Sequence, residues 1–283
     1  MPSHRDTIRT YYEQNTRLFL AFGRSRRAEN IHRSLWTNGT KTMDEALNVI
    51  HEYILREIEA VAPVQARIVD LGCGVGASLI YISARLNEPA VAIGLTLSPI
   101  QARLARQFAN SVGLETQVHF LDGDFLSVPV VNESVDAVFS VEAVVHTQES
   151  EKYFQEASRL LKPGGKLILV DDYRIPRSLS VDENKWLNAY INGWHVPGVV
   201  TVEQARAFAE KYQLRLVKNE DLTSQLRLRV LPDAAASALL FLGNMLPIRH
   251  AILPSMLGSM ALQQCLYMKV IEYRFLVFTK SGG

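Results

Sequence analysis

The run Ile68-Val69-Asp70-Leu71-Gly72-Cys73-Gly74-Val75-Gly76-Ala77-Ser78 constrains the fold more than any other part of the chain. An apolar strand meets an acidic residue and then glycine at every second position. Glycine is required where backbone takes φ > 0 or approaches a ligand closely, and Ala77-Ser78-Leu79-Ile80 then opens a helix whose N-terminal amides face the same point. Strand, glycine turn and helix in this order seat a nucleoside-bearing ligand on a parallel sheet, so a ligand with ribose and adenine is expected. Two versions of such a site compete. Gly72-x-Gly74-x-x-Ala77 satisfies a relaxed dinucleotide fingerprint, which calls for a carboxylate about twenty residues further on to hold a ribose. The chain has Gly94-Leu95-Thr96-Leu97-Ser98 there, without a carboxylate, and instead carries Asp70 just before the first glycine, where it suits an ammonium group rather than a phosphate.

The order of segments downstream bears on the choice. Ala90 to Thr96 reads as a buried strand, Ser98 as an N-cap and Pro99 as the first residue of a helix reaching about Val112. Val118 to Asp122 followed by Gly123-Asp124-Phe125 is a third strand and Val135 to Ser140 a fourth. Leu160-Leu161-Lys162-Pro163-Gly164-Gly165 then reads as helix end and turn before a fifth strand, Lys166 to Asp172. Together, Asp70-x-Gly72-x-Gly74-x-Gly76, Gly94-Leu95-Thr96-Leu97-Ser98-Pro99-x-Gln101, Gly123-Asp124-Phe125 and Lys162-Pro163-Gly164-Gly165 resemble, over residues 66–172, the class I S-adenosylmethionine-dependent methyltransferases. The wording is similar to their tocopherol, sterol, terpene and cyclopropane-fatty-acid branch. The resemblance implies S-adenosyl-L-methionine as cofactor, held by Asp70, Gly72, Gly74, Gly76, Leu97 and Ser140. It further implies Thr96 and Gln101 on the ribose, Asp124 on the adenine amino group and Phe125 against the ring.

Open α/β sheets bind ligands where the strands' carboxyl ends converge, so the chemistry belongs there. After the fourth strand, Glu142 and His146 stand four residues apart and would share a face if the turn between them is helical. Relatives acting on sterols, tocopherols and prenyl diphosphates carry an acid near this place, which makes Glu142 the candidate to stabilise a carbocation or take its proton, with His146 as base or orienting partner. In the alternative, Glu142 holds the methionine end and His146 is a core histidine. Tyr11, Tyr12 and Trp36 before the first strand, Tyr173 beyond the fifth, and Trp194 and His195 in an expected Gly/Pro-bounded loop from Asn192 to Gly198 are candidates for the substrate side. An aromatic face there suits a flat or cationic group. Each of these aromatics equally suits a purely structural docking role. Thr201 with Gln204 forms a capping box for a helix to Tyr212.

At 283 residues, 48% hydrophobic and formal net charge +1, the chain is long enough for one large α/β core and lacks the basic excess of a nucleic-acid binder. Cys73 and Cys265 give neither a disulfide framework nor metal-ligand spacing, and the N-terminus lacks the apolar core of a signal peptide, so a metal-free cytoplasmic protein is expected. Residues 234–246 are apolar, but Pro247, Arg249, His250 and Pro254 interrupt the run before the ~20 residues a membrane span needs. A buried or substrate-covering helix is expected instead. Arg24-Ser25-Arg26-Arg27 reads as a solvated turn. The expected architecture is a Rossmann-like, seven-stranded, mostly parallel α/β sheet with helices on both faces and the last strand antiparallel. A helical lid over residues 1–62 would precede a cofactor-binding domain over 63–283, with a helical insertion at 232–268 roofing the site. Apolar roofing points to an apolar small-molecule natural product, terpenoid or prenylated and methylated at carbon. Nitrogen or oxygen methylation of another metabolite and a non-catalytic nucleoside binder stand as alternatives, and self-association is compatible with all three.

Overall fold

Strands that are apolar on both faces need cover on both faces, and the central strands here are of that kind: in Arg67–Leu71 only the first residue is exposed. The computed structural model describes residues 4–22, 32–86, 91–245 and 252–282. Its sheet is built from β1 (Arg67–Leu71), β2 (Val91–Thr96), β3 (Val118–Asp122), β4 (Val135–Val141), β5 (Leu161–Arg174), β6 (Leu214–Asp221) and β7 (Ile271–Lys280). The strand order is β3-β2-β1-β4-β5-β7-β6. Strands β1 to β5 run parallel, and β7 lies antiparallel between β5 and β6. β1 is flanked by β2 on one side and β4 on the other, which opens a crevice at their carboxyl ends.

The period-2 alternation of the strands splits the core into two layers. Ile68, Phe139 and Ile168 face α2 (Met43–Glu59), α3 (Ala77–Ser83) and α6 (Val181–Trp194), where Ile50, Ile54, Leu79 and Trp186 are buried. Val69, Val138 and Leu169 face α5 (Ser150–Leu160) and α7 (Val202–Lys211), with Tyr153, Phe154 and Ala205 between them. α4 (Pro99–Ser111) starts with Pro99 after the Ser98 cap, and the Thr201–Gln204 capping box is present at α7. The expected turn at Lys162-Pro163-Gly164-Gly165 is absorbed into β5 as an irregularity: Val135 pairs with Leu161 and Ala137 with Lys166, with Gly164 at φ 81°.

α1 (His4–Phe22), α8 (Asp233–Met245) and α9 (Ile252–Tyr267) complete the chain. Two expectations are corrected here. The stretch from Asn192 is not a loop: α6 runs through Trp194, and His195 caps it in the left-handed region at φ 53°. Close helix packing explains this, since a Cβ on Gly193 would stand 2.6 Å from the Gly258 Cα, so the two glycines let α6 and α9 touch backbone to backbone. Nor is α8 a buried helix. Leu239, Phe241, Leu242 and Met245 are exposed, and of its residues Ala236 is buried. The run Arg24 to Arg27 lies outside the described residues. Among the described residues no helix is long and apolar enough to cross a membrane.

Candidate functional site

The glycine loop combines tight packing at two of its glycines with open space at the third. Gly72, Gly74 and Gly76 all have positive φ, at 94°, 54° and 85°. A Cβ on Gly72 would meet the Ala143 Cβ at 2.4 Å, and one on Gly76 the Phe120 ring at 2.5 Å, so these two are demanded by the protein's own packing. A Cβ on Gly74 would meet nothing within 4 Å, and Gly74 borders a cavity of about 660 Å³ at the sheet's carboxyl edge. Its open side is the cavity. Asp70, buried at the end of β1, borders the same cavity and accepts no hydrogen bond from any described residue; burial pushes its carboxyl well above the ordinary range. A buried carboxylate without a partner is costly, and a cationic group in the cavity removes that cost.

Thr96, Leu97, Gln101, Asp124 and Phe125 border the cavity too. The Thr96 hydroxyl donates to Gln101 Oε1 at 2.7 Å, and Gln101 Nε2 donates to the Thr16 hydroxyl of α1 at 3.1 Å. Asp124 forms an ion pair with Arg5 of α1 and accepts from the Leu126 amide at 2.9 Å. Ser140 does not border the cavity; its hydroxyl is buried and donates to the Leu71 carbonyl at 2.6 Å.

Glu142 and His146 both line the cavity, but not from one helical face. The chain leaves β4 at Val141, takes the left-handed region at Glu142 (φ 51°) and then forms a single 3-10 turn over Val144–His146, so the two side chains find separate partners. Glu142 Oε1 accepts from the Arg33 amide (2.9 Å), the Arg33 guanidinium (3.1 Å) and the Tyr273 hydroxyl (2.7 Å). Burial pushes its carboxyl up, but Arg33, His32 and these hydrogen bonds outweigh burial and hold it below the ordinary range. Arg33 also donates to Asp172 Oδ1 at 2.7 Å, and the Tyr190 hydroxyl donates to Asp172 Oδ2 at 2.9 Å. His146 Nε2 shares a hydrogen bond of 3.0 Å with the Tyr12 hydroxyl, and its carbonyl accepts from His4 at 3.0 Å. Its Nδ1 is buried and has no partner among the described residues. Burial and nearby His4 lower its pKa to about 4, so the ring is neutral at neutral pH.

Of the residues expected on the substrate side, Tyr11, Tyr12 and Trp194 line the cavity. Tyr11 shares a 2.8 Å hydrogen bond with Ser255 of α9, and His195 packs edge-on against it at 5.5 Å. Trp36 and Tyr173 do not line the cavity. Trp36 stacks under the Arg227 guanidinium, and Tyr173 is buried in the layer facing α5 and α7, because β5 alternation turns it to the opposite sheet face from Asp172. The roof over the cavity comes from α9, through Ser255, Ser259 and Leu262, whereas α8 does not border it. Arg33, Tyr190 and Tyr273 carry no local sequence signal: the first lies in an aperiodic stretch, and the two tyrosines read as ordinary apolar positions of a helix and a strand. Among the described residues no cluster of metal-ligating side chains occurs.

The chain shares its fold with solved structures that include methyltransferases. A family model described as a methyltransferase domain matches residues 69–169. It is 28% identical over 177 residues to 24-methylenesterol C-methyltransferase 2 of Arabidopsis thaliana, a match covering 62% of this chain and 48% of that protein. The chain therefore spans about half the length of the curated relatives it matches. Among solved structures, the [4+2]-cyclase SpnF superposes with a TM-score of 0.76 at 21% identity, covering 100% of this chain and 98% of that one. Geranyl diphosphate methyltransferase in complex with GPP and sinefungin gives 0.76 at 18%, covering 98% and 100%.

Proposed function

We propose that the protein is an S-adenosylmethionine-dependent methyltransferase acting on an apolar small-molecule natural product, terpenoid or prenylated, at carbon. The observation that carries the reading is the pairing of Asp70, buried and unpartnered on the cavity wall, with Gly74, whose missing Cβ leaves open space beside it. Such a pair fits a cationic amino acid end close to backbone and leaves a pyrophosphate without a counter-charge. Thr96, Gln101, Asp124 and Phe125 would hold the ribose and adenine, and the cofactor, when bound, supplies an activated methyl group. The chain's own task is then alignment and charge. Glu142, kept ionised by Arg33, presents a fixed negative charge that favours a developing carbocation, whereas its lowered pKa makes it a weak proton acceptor. Neutral His146 keeps an unpartnered nitrogen for a proton. α1 and α9 would close the site from above, which excludes water from the transfer.

The relative named as a 24-methylenesterol C-methyltransferase and the solved geranyl diphosphate C-methyltransferase support the carbon acceptor and the terpenoid or prenylated substrate class. A reading without methyl transfer has its own support, since a chain of this fold is a [4+2]-cyclase. A cytoplasmic setting suits the two buried free thiols, Cys73 and Cys265. Calorimetry with S-adenosylhomocysteine, NAD and NADP separates the cofactor readings, with binding expected for the first alone. Transfer of label from methyl-labelled cofactor into a metabolite extract then separates methylation from other chemistry; cofactor binding without any labelled product would exclude the transferase.

A further inference from the structure

The cavity extends well beyond the groups assigned to the cofactor. Met43, Leu47, Leu226, Leu228, Leu262 and Leu266 also line it and give it an apolar wall. At its edge lie Arg227 and Arg229, on the extended segment between β6 and α8. Leu226 and Leu228 pack against the core while the two arginines stay exposed, so the segment carries an apolar and a cationic character at alternate positions. The segment is fixed rather than trailing: Leu35 bridges Leu226, and the Trp36 amide donates to the Gln225 carbonyl at 2.7 Å.

The other arginines bordering the cavity are neutralised, Arg5 by Asp124 and Arg33 by Glu142 and Asp172. Arg227 and Arg229 form no ion pair with any described residue, and their guanidinium groups form no hydrogen bond among those residues. The Arg227 guanidinium carbon stands 3.3 Å from the centroid of the Trp36 ring. A guanidinium stacked at that distance has its face occupied and its N–H edge free, which is the arrangement that receives a planar or tetrahedral oxyanion by paired hydrogen bonds. Trp36 itself is held by donation of its indole N–H to the Ser34 hydroxyl at 3.2 Å, so the stack is pre-positioned from the chain that precedes α2.

We propose that Arg227 and Arg229 form an anion site at the rim of the cavity, and that the substrate is an amphiphile whose apolar chain lies along the leucine wall and whose carboxylate or phosphate head is held by these two guanidinium groups. Trp36 is a positioning residue for Arg227. The proposal deepens the function given above and rests on it only for the identity of the cavity's other end.

The test is calorimetry on the full chain, with and without saturating S-adenosylhomocysteine, using three probes of equal chain length: decyl phosphate, decanoate and decanol. At least one anion is expected to bind about tenfold or more tightly than decanol, with the preference weakening as ionic strength rises from about 50 to 500 mM. Whichever anion is preferred identifies the head group. In R227A/R229A the preference should collapse while decanol binding, melting temperature and S-adenosylhomocysteine affinity stay as in the parent. R227K keeps the charge but loses the stacked fork, and W36A removes the support beneath it, so each should retain only part of the preference. Equal binding of the three probes, no binding of any of them, or an anion preference that survives the double substitution would overturn the proposal. A protein that binds the anions through these arginines but ignores S-adenosylhomocysteine would leave the anion site standing and remove the methyltransferase reading instead.

Discussion

Asp70 is the residue on which the cofactor reading turns, because its carboxylate is buried, borders the cavity and has no partner from the described protein. Asp70→Asn keeps the shape and removes the charge. Calorimetry should therefore register a loss of S-adenosylhomocysteine affinity of roughly 10- to 100-fold, the about 1.5–3 kcal/mol of a hydrogen bond to a charged group, with the melting temperature of the free protein held or raised because the unpartnered buried carboxyl is gone. His146 provides a pH signature. Its folded-state pKa of about 4 lies below the ordinary 6.5, so the unfolded chain binds one more proton between those values. Its contribution to stability is present above about 6.5 and is lost as pH falls through about 4. Denaturant melts of the parent should thus lose stability over that window faster than melts of His146→Gln, by up to about 1.4 kcal/mol per pH unit. Identical pH profiles would mean that the imidazole is charged, or solvated, in the fold.

The helices divide into those that hold the sheet together and those that cover its edge, and their contacts forecast different losses. α2 buries Ile50, Ile54 and Ile58 against the strands, so Ile54→Ala should cost about 2–5 kcal/mol in a denaturant melt. α1 meets the body of the protein through polar contacts that cluster around the cavity: Thr16 with Gln101, Tyr12 with His146, Tyr11 with Ser255. Removing residues 1–22 should leave the cooperative melt in place and speed S-adenosylhomocysteine dissociation by about tenfold in stopped-flow displacement, since the side chains that close the site are lost while the core is kept. A truncated chain with unchanged dissociation would place α1 outside the lid. Both helices precede β1 in the chain, and only their packing tells them apart.

At the scale of the whole molecule, cofactor and sheet edge are coupled by mass action. A ligand that binds the folded chain alone stabilises it by about 2.7 kcal/mol at a hundredfold excess over its Kd, so S-adenosylhomocysteine should raise the melting temperature by several degrees and NAD should not. The strand sequence, the glycine loop and the helix caps were legible in the amino-acid sequence because each is a local pattern: an apolar run, a position demanding φ > 0, a Ser or Thr three residues before a bonding partner. Asp70, Gly74, Thr96, Gln101 and Asp124 border the cavity, and the sequence pointed to them through motifs at the strand ends and the resemblance those motifs carry. What the tertiary structure decided is where chain segments far apart meet. Glu142 bonds Arg33 and Tyr273 rather than sharing a helical face with His146, because the chain leaves β4 through a left-handed residue. Trp36 supports Arg227 across a bridge of nearly two hundred residues, α9 and not α8 roofs the cavity, and α6 continues through Trp194 because Gly258 lets it. Local preference sets an element and its ends, whereas the partner of a buried charge or the cover of a cavity is set by long-range packing, which leaves no periodic trace in the sequence.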